Sequence, residues 1–261
     1  MTSRADLLGE ALLEEREALN RALVKGADGC GAGFYQAGEV LHRKRPRPID
    51  GQVEWAGVLD GVRSHVAIAH VRTATTGGGA EDTQPFRMRQ WLFAHVGELA
   101  GFEAVREPLL ESLPDFLRRN IRGNSDSELL FHVVLSFLHD AGQLDSMDVA
   151  DATLVSALRS SVTLLDRHSR EVGAEPKSLT LALTNGRQLF ALRRGSPLAL
   201  VEQERVPQRQ SDAPGGTPTG SMRYVIVAST PDDDNPSDYR TVRDGEVVCV
   251  DRDLNVTTDR L

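Results

Sequence analysis

Two rhythms of apolar residues run along this chain. Over residues 4–25 the leucines Leu8, Leu12, Leu19 and Leu23 recur at helical spacing, with Ala11, Ala18 and Ala22 beside them. Ser3 and Asp6, three residues apart, have the form of a capping box, and Gly26 supplies a stop. Residues 32–36 and 40–43 then read as strands joined through Ala37-Gly38. A short helix is expected over 52–65, a strand over 66–71 and a second strand over 90–95. Pro108 and Pro114 punctuate short helical pieces over 102–120. Asn124 or Ser125 caps a strong helix: Glu128 follows at the capping distance, 129–138 is apolar, and Gly142 ends it. Another helix is expected from Ser146 to about Arg170, with Pro176 at its exit.

The last third changes to a strand rhythm. Segments 178–184 and 187–193 flank Asn185-Gly186, a strong two-residue hairpin signal. Further strands are expected at 224–228, 247–250 and 255–258. Residues 207–221, rich in proline and glycine, read as a mobile loop. No repeat and no long linker divides the chain, so residues 1–261 are expected to form one domain of α+β class.

Composition narrows the partners. The chain is 40% hydrophobic and 26% charged, with a net charge of −8. That balance argues against nucleic acid and against an anionic membrane surface. Arg43, Lys44, Arg45 and Arg47 cluster around two prolines and read as a solvated loop. No apolar run reaches the ~20 residues of a membrane helix. The two cysteines, Cys30 and Cys249, lie far apart without metal-ligand spacing, which suits a reducing, cytoplasmic setting. Both read as packing residues.

The chemistry gathers in residues 66–102. Arg72 ends one strand, and a glycine turn at Val96-Gly97 follows the next. Arginine can grip a carboxylate with two bonds, and a tight turn can aim an amide at a developing oxyanion. Read alone, these are better taken as a surface arginine beside two ordinary turns. The wording around them is more specific. His70-Val71-Arg72, Asp82-Thr83-Gln84-Pro85-Phe86, Phe93-Ala94-His95-Val96-Gly97-Glu98 and Ser125-Asp126-Ser127-Glu128 occur in that order. Together they resemble the motifs of the type-2 (class II) glutamine amidotransferase domain of the N-terminal nucleophile hydrolases. Asp28-Gly29-Cys30-Gly31 with Phe34-Tyr35, and Ala228-Ser229-Thr230-Pro231, extend the likeness toward both ends.

The resemblance implies a four-layer αββα sandwich of two antiparallel sheets. It implies hydrolysis of glutamine or a γ-glutamyl amide by an N-terminal cysteine, with no metal or nucleotide cofactor. Carried over position by position, Arg72 would hold the substrate carboxylate, Asp126 its amine, and the Gly97 N–H one half of the oxyanion hole. For Asp126 the alternative is a charge near a helix N-terminus. His70 and His95 lie in strands near this pocket, as a dyad or as core histidines.

Two positions depart from the pattern. Val96 stands where the family has an oxyanion-binding asparagine, and a valine side chain donates no hydrogen bond. Thr2 stands where the family has cysteine and is a weak nucleophile candidate, since polar, helix-opening residues follow it. Three readings follow. The chain is an enzyme whose start omits a cysteine-bearing strand, or a non-catalytic module that binds an amino acid or γ-glutamyl group, or a structural subunit of a protein partner or homo-oligomer. Val96 favours the last two.

Overall fold

The computed structural model describes residues 1–15, 29–45, 61–72, 80–175, 177–206, 220–229 and 238–261, apart from the side chains of residues 13 and 14. Residues 207–219 of the loop expected at 207–221, most of the 52–65 segment and the second half of the first helix lie outside the described residues.

Among the described residues, twelve strands form three antiparallel sheets. The largest has six, in the order β12 (Val256–Arg260), β11 (Glu246–Val250), β7 (Leu189–Leu192), β6 (Leu179–Thr184), β5 (Trp91–Gly97) and β4 (Phe86–Met88). A second sheet runs β2 (Glu39–Arg45), β1 (Gly29–Gln36), β3 (Ala67–Arg72). The third runs β10 (Arg240–Thr241), β8 (Leu198–Arg205), β9 (Met222–Ser229).

Apolar clusters define the layers. On one face of the six-stranded sheet, Trp91, Phe93, Leu181, Leu183, Phe190 and Val247 pack under the helices. Those helices are α2 (Phe102–Ser112), α3 (Asp115–Arg118), α4 (Asp126–Asp140) and α5 (Asp151–Glu171). On the other face, Leu92 and Ala94 meet Val40 and Ile68 of the second sheet, while Leu189, Ala191 and Val248 meet Leu200 and Val225 of the third. Beyond the two small sheets lies α1 (Leu8–Glu14), preceded by a 3-10 turn at Ala5–Leu7. Leu7 and Ala11 cover Tyr224 and Ile226, and Leu8 covers Cys30 and Phe34. The four αββα layers are those expected, with the second β layer split into two three-stranded sheets.

Several local expectations hold. Ser125 caps α4, its hydroxyl accepting the Glu128 N–H at 3.2 Å. Asn185 Oδ1 accepts the N–H groups of Arg187 and Gln188 and closes the β6–β7 hairpin. Others change. Ser3 does not cap the first helix; its hydroxyl accepts the Arg223 N–H at 3.0 Å, and Arg4 takes the cap position without a side-chain bond. The sheet bond wins because residues 1–3 run as a strand beside β9. Arg43, Lys44 and Arg45 belong to the edge strand β2 rather than a loop, where charge protects an open edge. Pro108 lies inside α2 instead of ending it. The helix expected from Ser146 starts at Asp151. Strands β4, β8 and β10 have no counterpart among the expected elements.

Candidate functional site

Side-chain alternation decides what faces the space between the sheets. On β3, Ile68 points into the inter-sheet core, so His70 and Arg72 share its face. On β5, Leu92 and Ala94 point the same way, so Val96 does too. Arg72 is buried, whereas Val96 is 38% exposed, which puts it at the mouth of the cleft. Trp91, Phe93 and His95 alternate toward the helices.

Gly97 ends β5 with φ 147°, and a Cβ there would stand 1.9 Å from the Ser178 carbonyl oxygen. Only glycine fits this close approach. The next residue, Glu98, donates its N–H to the same carbonyl at 3.1 Å. One residue further, the Leu99 N–H donates to Asp126 Oδ2 at 2.8 Å. Asp126 is the first residue of α4, so this bond ties the end of β5 to the helix N-terminus.

A second tie runs parallel to it. Ser127 Oγ donates to Asp126 Oδ1 at 3.1 Å and lies 2.9 Å from His95 Nδ1. Burial pushes the His95 ring below the usual imidazole range, against the opposing pull of the Asp126 charge and the Ser178 carbonyl. Its Nε2 has no hydrogen-bond partner. His70 is pushed down to about 4, first by burial, with the charges of His95 and Arg72 adding to it and the His95 carbonyl opposing. Both rings are therefore neutral at physiological pH. His95, Ser127 and Asp126 thus form one hydrogen-bonded chain on the helix side of β5, with His70 close enough to Arg72 and His95 to feel their charges.

Gln84 holds the His95 end of that chain. Its Oε1 accepts the His95 N–H at 2.6 Å, and its Nε2 donates to the His95 carbonyl at 3.0 Å. The Gln84-Pro85 segment lies so close to β1 that a Cβ on Gly31 would stand 2.2 Å from the Gln84 carbonyl oxygen. Gln84 and Ser127 were visible in the sequence as members of the quoted motifs, but nothing there assigned them these bonds.

Thr2 is elsewhere. Its N–H donates to the His65 carbonyl at 2.8 Å, and its hydroxyl exchanges 3.3 Å contacts with the Arg4 backbone. His65 precedes β3 while Arg72 ends it, a separation of roughly 20 Å along an extended strand. The Leu99–Asp126 bond brings Asp126 to the end of β5, just beyond Val96 and Gly97, while Arg72 ends β3 and Thr2 lies at the other end of that strand. Cys30 and Cys249 are buried, and burial raises both thiols, Cys249 to about 12. Among the described residues, no group of three or more His, Cys, Asp or Glu is disposed to hold a metal ion. A groove of about 420 Å³ between α4 and α5, lined by Phe137, Ala141 and Ser156, lies toward the opposite end of α4 from Asp126.

Helix-flanked, face-to-face antiparallel sheets with a glycine-ended strand meeting a helix N-terminus define the N-terminal-nucleophile-hydrolase type of fold. Within it the chain belongs to the class-II glutamine amidotransferases: the model of that family matches residues 14–213. Over 238 residues the chain is 28% identical to the γ-glutamyl-hercynylcysteine sulfoxide hydrolase of Mycolicibacterium smegmatis, covering 90% of this chain and 82% of that protein. Over 188 residues it is 24% identical to the probable glutamine amidotransferase DUG3 of Saccharomyces cerevisiae, covering 66% of this chain but only 53% of the yeast protein. The chain thus matches about half the length of the yeast relative.

Solved structures agree on the fold. A glutamine aminotransferase class-II domain protein from Silicibacter pomeroyi superposes with a TM-score of 0.59 at 21% identity, covering 89% of this chain and 91% of that one. A predicted glutamine amidotransferase from Pseudomonas aeruginosa gives 0.58 at 23% identity, with 88% and 86% covered. No helix among the described residues is long and apolar enough to cross a membrane.

Proposed function

We propose that the cleft binds the α-amino acid head group of glutamine or of a γ-glutamyl compound, and that the chain as given is impaired in hydrolysing its amide. Arg72 takes the carboxylate as a bidentate clamp, and Asp126 takes the ammonium. The observation that carries the binding half is the bonded path from His95 through Ser127 to Asp126 at the end of β5, with the Arg72 cation at the end of β3 within charge range of His70. A zwitterion needs one of each. The γ-glutamyl preference rests on the Mycolicibacterium relative, whose name specifies a γ-glutamyl substrate.

The impairment rests on Val96. It occupies the mouth of the cleft beside Gly97 and offers no donor, and loss of one oxyanion donor lowers turnover by roughly 10²–10³. Thr2, at the far end of β3, adds no nucleophile to the cleft. Calorimetry with glutamine and a γ-glutamyl dipeptide tests the binding. Micromolar to millimolar affinity is expected, abolished in Arg72→Ala and retained in Arg43→Ala on the distant edge strand. Absence of binding by the unmutated chain at millimolar ligand would leave the structural-subunit reading in its place. Release of ammonia or glutamate above background, abolished by Thr2→Ala, would overturn the impairment.

A further inference from the structure

The Asp126 carboxylate is braced from two sides. Its Oδ2 accepts the Leu99 N–H at 2.8 Å, and its Oδ1 accepts the Ser127 hydroxyl at 3.1 Å. Leu99 follows the end of β5, whereas Ser127 is the second residue of α4. Behind Ser127 stands the His95 ring, with Nδ1 2.9 Å from Ser127 Oγ. Both residues are buried. The far edge of the ring lies beside the glycine turn: a Cβ on Gly97 would stand 2.9 Å from His95 Nε2 and 1.9 Å from the Ser178 carbonyl oxygen. Nε2 nevertheless makes no hydrogen bond.

Counting hydrogens gives this line a direction. A hydroxyl has one hydrogen to donate, and so does a neutral imidazole. A carboxylate only accepts, and it holds a donor more strongly than a neutral ring nitrogen does. The Ser127 hydrogen therefore goes to Asp126 Oδ1. The contact between Ser127 Oγ and the ring then needs Nδ1 as its donor, which leaves Nε2 bare. The surroundings of Nε2 agree. A bare nitrogen there leaves only an acceptor unmet, whereas a hydrogen there would be a buried donor without a partner, the rarer and costlier case. Both ring nitrogens thus give one order: Nδ1–H to Oγ, and O–H to Oδ1.

We infer that Ser127 and His95 are positioning residues for Asp126, a one-way line of hydrogen bonds that sets the plane of the carboxylate before the ligand's ammonium arrives. Neither residue touches the ligand. Each Asp126 oxygen has one donor in place and a lone pair left over, so an ammonium meets two acceptors already oriented. Fixing the carboxylate in advance removes part of the ordering cost of binding. The far end of the line is anchored, because the Gln84 side chain bonds the His95 N–H and carbonyl together. The benefit to binding rests on the reading of Asp126 as the amine-binding group; the direction of the hydrogens does not.

The 15N NMR signals of the imidazoles separate a protonated from a bare ring nitrogen, and they test this on the whole chain at neutral pH without ligand. His95 should carry its proton on Nδ1. In Asp126→Ala the Ser127 hydrogen has no anion to hold it, and either order leaves one donor unmet, so both tautomers should appear in comparable amounts. Ser127→Ala removes the relay atom and should give the same mixture, which keeps the test open if Asp126→Ala does not fold. By calorimetry Ser127→Ala should bind glutamine roughly tenfold more weakly than the unmutated chain. Arg72→Ala should abolish binding and leave the proton on Nδ1. A proton on Nε2 in the unmutated chain, undiminished Nδ1–H in either folded variant, or unchanged glutamine affinity in Ser127→Ala overturns the inference. An unmutated chain that binds no amino acid, with Nδ1–H present and lost in the variants, would sink the ligand reading while upholding the order at Asp126.

Discussion

Gln84 pairs with His95 as a neighbouring strand would, its side-chain amide accepting the His95 N–H at 2.6 Å and donating to the His95 carbonyl at 3.0 Å. Strand β4 pairs with β5 only from Phe86 to Met88. One glutamine side chain therefore completes the ladder just before the glycine turn. Gln84→Ala should strand two buried main-chain groups and cost roughly 2–4 kcal/mol. Denaturant unfolding measures it. A loss below half a kcal/mol would show that the main chain at His95 is held by something else.

Gly97 should tolerate no side chain. A Cβ would overlap the Ser178 carbonyl, and the backbone sits at φ 147°. Gly97→Ala should destabilise by about 3 kcal/mol or more, since the neighbour that must move is main chain rather than a flexible tip. A melting curve like that of the unmutated protein would contradict this geometry.

Val96→Asn should behave in the opposite way. The side chain is partly in water at the cleft mouth, so stability should change by less than about 0.5 kcal/mol. The added amide restores a donor but no nucleophile, so glutaminase activity should stay at background. Activity appearing in this single variant would mean that a nucleophile is already present in the cleft.

Stability should decline as the solution is acidified through the imidazole range. His70 titrates normally when unfolded, near 6.5, and near 4 when folded. Between those values the unfolded chain holds more protons, so unfolding is favoured progressively as pH falls. His42 and His132 are shifted in the same direction, mainly by burial. For His70 alone the full window corresponds to ~3 kcal/mol. Comparing unfolding free energies at pH 7 and pH 4.5 for the unmutated chain and His70→Gln isolates its share. An identical pH slope in both would exclude His70 as a source.

Local signals were readable in the sequence because their causes are local. Ser125 caps α4 through a bond three residues away, and Asn185-Gly186 closes its hairpin within four residues. As proposed site residues, Arg72, Gly97 and Asp126 rest on motif wording, since no periodicity distinguishes them from surface residues. What was not readable depends on distant partners. Ser3 looked like a cap because its competitor, the Arg223 amide, lies 220 residues away. Pro108 looked like a stop, yet α2 continues through it, with Val105 and Leu109 on either side of the proline buried in the main core. The bonds of Gln84 to His95, and of Ser127 to His95, need the strand and helix already assembled.

Val96 stands half in water on a strand whose buried neighbours keep it in register. Selection for a stable fold therefore barely registers which residue occupies that position. A lineage can exchange a donor for a non-donor there, and exchange it back, without passing through a poorly folded intermediate. Position 96 is thus free to follow the chemistry asked of the cleft without cost to how the protein stands up.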